Sequence, residues 1–378
     1  MLKRLSILFI FFAVIYSGKS AAQNPAAAVK DTNLSLPERS FEVFWQTFED
    51  NYAFFSLRKI DWQAAYRDWR SKVDANISDD SLFSILSQMV GPFQDDHINI
   101  IVPGKKQFTA RKPSHFMQEF PDQASRAKFW TMVDSSLVRK GFSQPVGIGP
   151  EHRGKNLFYF SRSREWAYLR IGRCFVSRET VDSPKVDAQL AGRILDSVLT
   201  QLQGVKAILL DVRNNIGGND EFAYAIAGRF ASKRTKGHSK QTRTGGYEEF
   251  GPLENWYIEP LGKRPFNGQV IMLTNDQTAS AGDVLAMIMS VLLRVTLVGD
   301  NTLGIYSDMY GFELPNGWQV SLSNQRYYDA DMICYEGRGT PVDLVVRNTG
   351  QDLEKGSDPV IEAAVLKLRH VNNSSAPR

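Results

Sequence analysis

The apolar positions along the chain change period more than once. Over residues 38–92, Phe41, Val43, Phe44, Trp45, Phe48 and Tyr52 recur at helical spacing. Trp62, Tyr66 and Trp69 do so again, and then Leu82, Phe83, Ile85, Leu86 and Met89. Three helices are predicted, the second capped near Asp61 and the third ending at Gly91-Pro92. Their aromatic stripes read as core. Asp95, Asp96 and His97 then lead into a β-branched, alternating run to residue 102, which predicts a strand. Residues 103–155 are rich in Pro, Gly and charge, show no clear period, and read as a connector.

From residue 156 the pattern is that of an α/β domain. A hairpin is predicted over 158–161 and 166–171, an amphipathic helix over 184–202, a buried strand over 205–212 and a helix over 221–230. Residues 232–255 are polar and basic and read as a surface excursion. An apolar strand at 270–273 turns into a long apolar helix that runs to residue 293. A strand at 295–298, a hairpin turning at Pro315-Asn316-Gly317, a strand at 344–346 and a helix over 360–368 complete the series. The last helix has Pro359 as an early residue.

The N-terminus has Lys3 and Arg4, an apolar run over 5–16 and Ser20-Ala21-Ala22, the pattern of a secretory signal peptide. The run is short for a membrane span, so no stable membrane insertion is expected once it is removed. The expected organisation is a signal peptide at 1–22, a flexible leader at 23–37 and a helical subdomain carrying His97 at 38–102. The connector at 103–155, a core at 156–370 and a tail at 371–378 follow.

Composition narrows the function classes. With 378 residues, 43% hydrophobic and 23% charged, the chain is an ordinary soluble protein with room for two domains. Its net charge is +4, and loss of Lys3, Arg4 and Lys19 with the signal peptide leaves +4 − 3 = +1, so no nucleic-acid partner is expected. Cys174 and Cys334 are the cysteines; in an exported protein they are able to pair, but one pair is not a disulfide framework. No close Cys/His spacing suggests zinc, and neither metal nor cofactor is expected.

Candidate chemistry centres on Ser280, which follows a strand and a tight turn and opens the apolar helix. Such a mount exposes a hydroxyl beside free helix N–H groups and suits a nucleophile. Ser-x-x-Asp, with Asp283, is equally a capping box. Gly217-Gly218, after the 205–212 strand, lets backbone N–H groups approach a ligand oxygen, or is a plain tight turn. Asp211 and Arg213 read as structural. Among the five histidines, His97 alone stands outside loops, the connector and the tail.

Five stretches in order resemble the C-terminal-processing (tail-specific) serine peptidases: Asp211-x-Arg213-x-Asn215-x-Gly217-Gly218, Asn275-x-x-Thr278-Ala279-Ser280-Ala281-Gly282-Asp283, Gly299-x-x-Thr302-x-Gly304, Tyr335-Glu336-Gly337-x-Gly339-x-Pro341-x-Asp343 and Asp358-Pro359. Asn51-Tyr52-Ala53-Phe54-Phe55 and Asp95-Asp96-His97 resemble the branch related to the tricorn protease core. The resemblance implies a ClpP/crotonase-like α/β core of ββα units behind a helical N-terminal subdomain. It implies Ser280 as nucleophile, His97 as base and Glu336 as its orienting acid, with Asp96 standing where that branch carries a serine. Backbone N–H groups of Ala281 and of Gly217 or Gly218 would form the oxyanion hole. Ile305 occupies the position of the lysine in the Ser–Lys branch, and the 103–155 connector is too short for a PDZ module; both are departures from the wider family.

The expected function is an exported serine peptidase that cleaves peptides or unfolded proteins near their C-termini. The alternative is a non-catalytic ligand- or peptide-binding protein on the same scaffold, since retinoid-binding relatives share it. Acyl-thioester chemistry on a crotonase-like site is a further rival, disfavoured by export. Oligomeric state is not legible.

Overall fold

A computed structural model describes residues 33–202, 204–262 and 265–374. The signal-peptide reading lies outside the described residues, as do most of the leader and the end of the tail. The chain divides into two compact units. The first takes residues up to Pro113, Lys240–Glu254 and Ser307–Tyr327; the second takes Ser114–Ser239, Asn255–Tyr306 and the chain from Tyr328.

In the first unit, α1 (Leu36–Asn51), α3 (Trp62–Trp69) and α4 (Asp79–Val90) follow the three predicted helical stripes, and a short α2 (Phe55–Arg58) that was not expected stands between the first two. Side chains set their starts. The Ser35 N–H donates to Glu38 at 3.0 Å, Asp61 accepts the Ala64 N–H at 2.8 Å, and Ser78 accepts the Ser81 N–H at 3.2 Å. The expected core forms. Phe48 packs against Trp62 and Phe93 with ring centroids 5.4 and 5.9 Å apart, and Tyr52 lies 4.8 Å from Phe93. The helices accompany an antiparallel sheet whose strands are β1 (Asp95–Val102), β2 (Lys106–Ala110), β11 (Met309–Glu313) and β12 (Gln319–Ser323), in the order β11-β12-β1-β2. Two of its strands therefore come from some two hundred residues downstream of the predicted subdomain. Gly317, at φ 81°, makes the turn that joins them.

The second unit is built on a seven-stranded sheet. Its strands are β3 (Val146–His152), β4 (Lys155–Arg162), β5 (Trp166–Ile171), β6 (Ala207–Asp211), β9 (Gln269–Thr274), β10 (Val295–Gly299) and β14 (Leu344–Val345). The order is β14-β10-β9-β6-β5-β4-β3, parallel from β5 through β14 and antiparallel from β5 to β3. Both faces of the central strands are buried, as apolar runs without alternation require. Leu209, Ile271, Leu273 and Val298 face a core shared with α6 (Gln123–Arg139) and α11 (Pro359–Ser374). The remaining helices are α5 (His115–Glu119), α7 (Pro184–Leu199), α8 (Asp220–Ala227), α9 (Ala281–Ser290) and α10 (Gly350–Lys355). Three strands, β7 (Thr235–Thr242), β8 (Glu254–Ile258) and β13 (Gln325–Tyr328), have residues in both units.

Two sequence expectations change. The stretch read as a connector carries β2, α5, α6 and β3. In α6, Phe129, Met132, Val133, Ser136 and Leu137 are buried at helical spacing, but interleaved Ser, Lys and Arg dilute the pattern. The stretch read as a surface excursion contains β7, whose His238, Ser239 and Lys240 are buried. Cys174 is buried, Cys334 is half-buried, and no disulfide joins them.

Candidate active site

Asp211 pairs with Leu273 across β6 and β9, so these neighbouring parallel strands end side by side in the second unit. Each then runs into a turn at its C-terminal end, where open α/β sheets hold ligands. The β6 turn carries Asn214 to Gly218 and the β9 turn carries Asn275 to Ser280. Hydrogen bonds lock the two turns together. Thr278 Oγ1 donates to the Val212 carbonyl at 2.8 Å, the Ala279 N–H donates to the Asn215 carbonyl at 2.9 Å, and the Asn214 N–H donates to Asn275 Oδ1 at 3.0 Å.

Ser280 occupies φ 56°, ψ −125°, a region that L-residues avoid, immediately before α9. Its N–H donates to Asp283 Oδ2 at 2.8 Å, which anchors the strained residue to its own helix. Asp283 is fully buried and also accepts the Gly304 N–H at 2.8 Å and the Ile305 N–H at 3.2 Å. Burial pushes its carboxyl up to about 6, against the lowering effect of the Thr302 hydroxyl and these three N–H donors. One residue on, the Tyr306 N–H donates to Glu336 Oε2 at 3.0 Å. A continuous set of hydrogen bonds thus runs from Ser280 through Asp283 and residues 304–306 to the buried Glu336. Ile305 is buried and supplies only its backbone here.

The glycines pack where no side chain fits. A Cβ on Gly217 (φ 79°) would lie 2.6 Å from Ser280 Cβ, and one on Gly218 (φ 147°) would lie 2.3 Å from the Cys174 carbonyl oxygen. The Gly217 N–H is taken by Asn215 Oδ1 at 2.9 Å, an oxygen that also accepts from Cys174 Sγ at 3.5 Å. Asn215 Nδ2 donates to the Ile171 carbonyl at 2.9 Å. Asn215 falls within the Asp211–Gly218 motif, but nothing in that local pattern signals its anchoring role. Ala281 is the first residue of α9, so no intrahelical carbonyl reaches its N–H. Gly217, Gly218, Ser280, Ala281 and Glu336 all belong to the second unit.

His97 and Asp96 belong to the first unit. His97 is 2% exposed, and burial pulls its imidazole below the ordinary histidine range, although Asp95, Asp308 and the Ser307 backbone favour the charged ring. A ring lowered in this way is neutral at neutral pH, the form in which it accepts a proton. Asp95 Oδ1 accepts the backbone N–H of His97 at 3.0 Å. Asp95 also takes the hydroxyls of Tyr52 at 3.0 Å and Ser323 at 3.2 Å. Asp96 instead accepts the Lys112 N–H at 2.9 Å, fixing the chain beyond β2. Successive strand residues point to opposite faces, which separates Asp96 from its neighbour. Burial raises the Asp96 carboxyl.

Asp211 and Arg213 are structural, as expected. Both are fully buried, and Arg213 bridges Asp211 at 2.6 Å and Asp358 at 2.8 Å. Among the described residues, no cluster of three or more His, Cys, Asp or Glu side chains fits a metal ion, and no helix is long and apolar enough to cross a membrane.

The second unit is an α/β domain of ClpP-like fold with a strained serine at a strand–helix turn. Residues 168–346 match peptidase family S41, and residues 37–91 match the tricorn protease C1 domain. The carboxyl-terminal-processing protease of Picosynechococcus sp. is 31% identical over 127 residues, which cover 34% of this chain and 28% of that relative. The match therefore spans little more than a quarter of that relative's length. The crystal structure of a candidate peptidase from Parabacteroides merdae ATCC 43184 is similar with a TM-score of 0.73 at 26% identity, covering 91% of this chain and all 100% of that one. Mature CPAF shares the fold, with a TM-score of 0.62 at 11% identity over 90% of this chain and 99% of that one. The chain thus carries a domain of peptidase family S41 over residues 168–346 and a tricorn C1 domain over residues 37–91, and it is similar to carboxyl-terminal-processing proteases.

Proposed function

We propose that this chain is an exported serine peptidase that hydrolyses peptide bonds near the C-termini of peptide or unfolded-protein substrates. The observation that carries the proposal is Ser280 itself: a non-glycine residue at φ 56°, ψ −125° opening a buried helix beside a glycine turn. Strain of this kind persists only where surrounding structure enforces it, and it clusters at functional sites. Preference for C-termini is supported by the similarity to the carboxyl-terminal-processing protease of Picosynechococcus sp.. Export is supported by the apolar run at 5–16, and a mature N-terminus after Ala22 is its test.

In the proposed reaction His97 takes the Ser280 proton as Oγ adds to the scissile carbonyl carbon. The resulting oxyanion is held by the N–H groups of Ala281 and Gly218, because the Gly217 N–H is committed to Asn215. Each such donor is worth about 3 kcal/mol in the transition state. Collapse of the intermediate expels the amine, which takes the proton from the imidazolium; water then repeats the sequence on the acyl-enzyme. Glu336 is assigned to orient and stabilise the imidazolium. Asp96 is left out of the reaction because its carboxylate is engaged by Lys112.

A fluorophosphonate probe is expected to label Ser280 stoichiometrically, read by peptide mass spectrometry, and His97→Ala to slow labelling about 100-fold or more. Tight peptide binding without labelling would favour the carrier reading instead. Gly217→Ala tests the close approach of the two turns. Its methyl must displace Ser280, so single-turnover cleavage is expected to fall about 100-fold, the cost of misplacing a reacting atom by about 1 Å. Wild-type rates in that variant would remove the glycine turn from the site.

A further inference from the structure

His97 lies in β1, next to β12 and then β11 in the sheet of the first unit. Ser321 Oγ donates to the His97 carbonyl at 2.7 Å. Asn99 pairs with Ser321 and Met309 with Ser323, so the register carries Ser307 and Asp308, just ahead of β11, toward the His97 end of the sheet. His97 Nδ1 is buried without a hydrogen-bond partner, while the Ser307 backbone and the Asp308 carboxylate act on the ring. Asp308 is itself anchored: Lys240 Nζ donates to its Oδ2 at 2.9 Å and to the Tyr327 hydroxyl at 3.1 Å. The Lys240 side chain is 10% exposed and that of Asp308 57% exposed, so a sheltered cation underlies an accessible carboxylate. Desolvation of the part of the Asp308 carboxyl that faces the sheet works to raise it, but Lys240 and the Tyr327 hydroxyl outweigh this and hold the group below its usual range.

We propose that Asp308, held by Lys240 and Tyr327, is a further positioning residue that biases the charge of the His97 imidazole beside the orienting role assigned to Glu336, and that Lys240 limits how basic that imidazole becomes. The proposal rests on His97 being the base, and it explains why a lysine is sheltered in a strand with no apolar residue. Other charges around the ring do not vary independently. Asp95 is committed to Tyr52, Ser323 and the His97 N–H, and Arg58, which opposes protonation, lies 3.9 Å from Asp95. The signs follow directly. A facing carboxylate favours the imidazolium, so its removal lowers the pH at which His97 protonates. Lys240 disfavours the imidazolium, so its removal raises that pH.

The test is an NMR titration of histidine-labelled full-length protein, with His97 assigned by His97→Gln, alongside the pH profile of kcat/KM. Asp308→Asn is expected to move the His97 midpoint down by about one unit and Lys240→Met to move it up by a similar amount. Tyr327→Phe, which changes no charge, moves it little. The acid limb of kcat/KM follows each shift, since activity falls as the base protonates. A merely structural role would move both charge variants in one direction or neither. Shifts of the same sign, or none, overturn the proposal. Opposite shifts in the titration that the acid limb does not follow support the placement of Asp308 and overturn His97 as the base. Asp308 is exposed enough for Asp308→Asn to fold, so the first arm stands even if Lys240→Met does not.

Discussion

Ser280→Gly is expected to abolish peptide hydrolysis and to stabilise the second unit at the same time. Loss of the hydroxyl removes the nucleophile, for which triad enzymes lose turnover on the order of 10⁶-fold. Ser280→Ala loses the same hydroxyl but keeps a Cβ at φ 56°, ψ −125°. The backbone strain at such a position costs on the order of 1–3 kcal/mol, and glycine's extra freedom in the unfolded chain returns roughly 0.5–1 kcal/mol of any gain. A net stabilisation of about 1 kcal/mol over Ser280→Ala follows, which is roughly 3 °C in unfolding midpoint for a domain of this size. Comparing the two variants by urea unfolding and by turnover separates the hydroxyl from the strain. If Ser280→Gly were less stable than Ser280→Ala, the serine would be relaxed where it stands, and the case for a mount that stores strain for catalysis would go with it.

That trade is consistent with the way the rest of the site is held. The residues that fix Ser280 act mostly through main chain: Asp283 takes its N–H, Asn215 takes the Ala279 N–H through its carbonyl, and Gly217 leaves room for its Cβ. Anchors of this type are stiff, because each bonds a group that cannot rotate away.

The parts legible in the sequence were those whose pattern is local. The apolar stripes of α1, α3 and α4 predict helices because their spacing is set by one element at a time. The Ser280 turn was readable because Thr-Ala-Ser-Ala-Gly-Asp combines cap, small residues and a following apolar run. What escaped depended on partners far away in the chain. Residues 235–242, Thr-Lys-Gly-His-Ser-Lys-Gln-Thr, contain no apolar side chain, so nothing local suggested a buried strand. Lys240 is sheltered only because Asp308 and Tyr327 arrive from 68 and 87 residues downstream. The membership of β11 and β12 in the first unit rests on β12 pairing with β1 across more than two hundred positions, which periodicity does not encode.

The buried charge network behind the glycine turn makes the strongest prediction for stability. Arg213 is fully buried, with Nε and an Nη on Asp211 and the other Nη shared between Asn348 at 3.1 Å and Asp358 at 2.8 Å. Tyr168 donates to Asp211 at 2.9 Å, and Asp358 Oδ1 accepts the Val360 N–H at 2.9 Å at the start of α11. One guanidinium therefore ties the end of β6, and with it the turn carrying Gly217, to the C-terminal helix. Coulomb and hydrogen-bond gains here are set against the desolvation of three ions, so the pairing itself adds little net stability, whereas breaking it is costly. Arg213→Met leaves Asp211 and Asp358 buried without their cation and is expected to cost about 3–5 kcal/mol. In urea unfolding this would be a large fraction of the stability of an ordinary domain, which totals about 5–15 kcal/mol. The triple variant Asp211→Asn, Arg213→Met, Asp358→Asn removes the stranded charges along with the cation and should recover part of the loss. Recovery would assign the single variant's deficit to unpaired buried carboxylates. A triple variant as unstable as Arg213→Met would instead assign it to the geometry that the guanidinium imposes between β6 and α11.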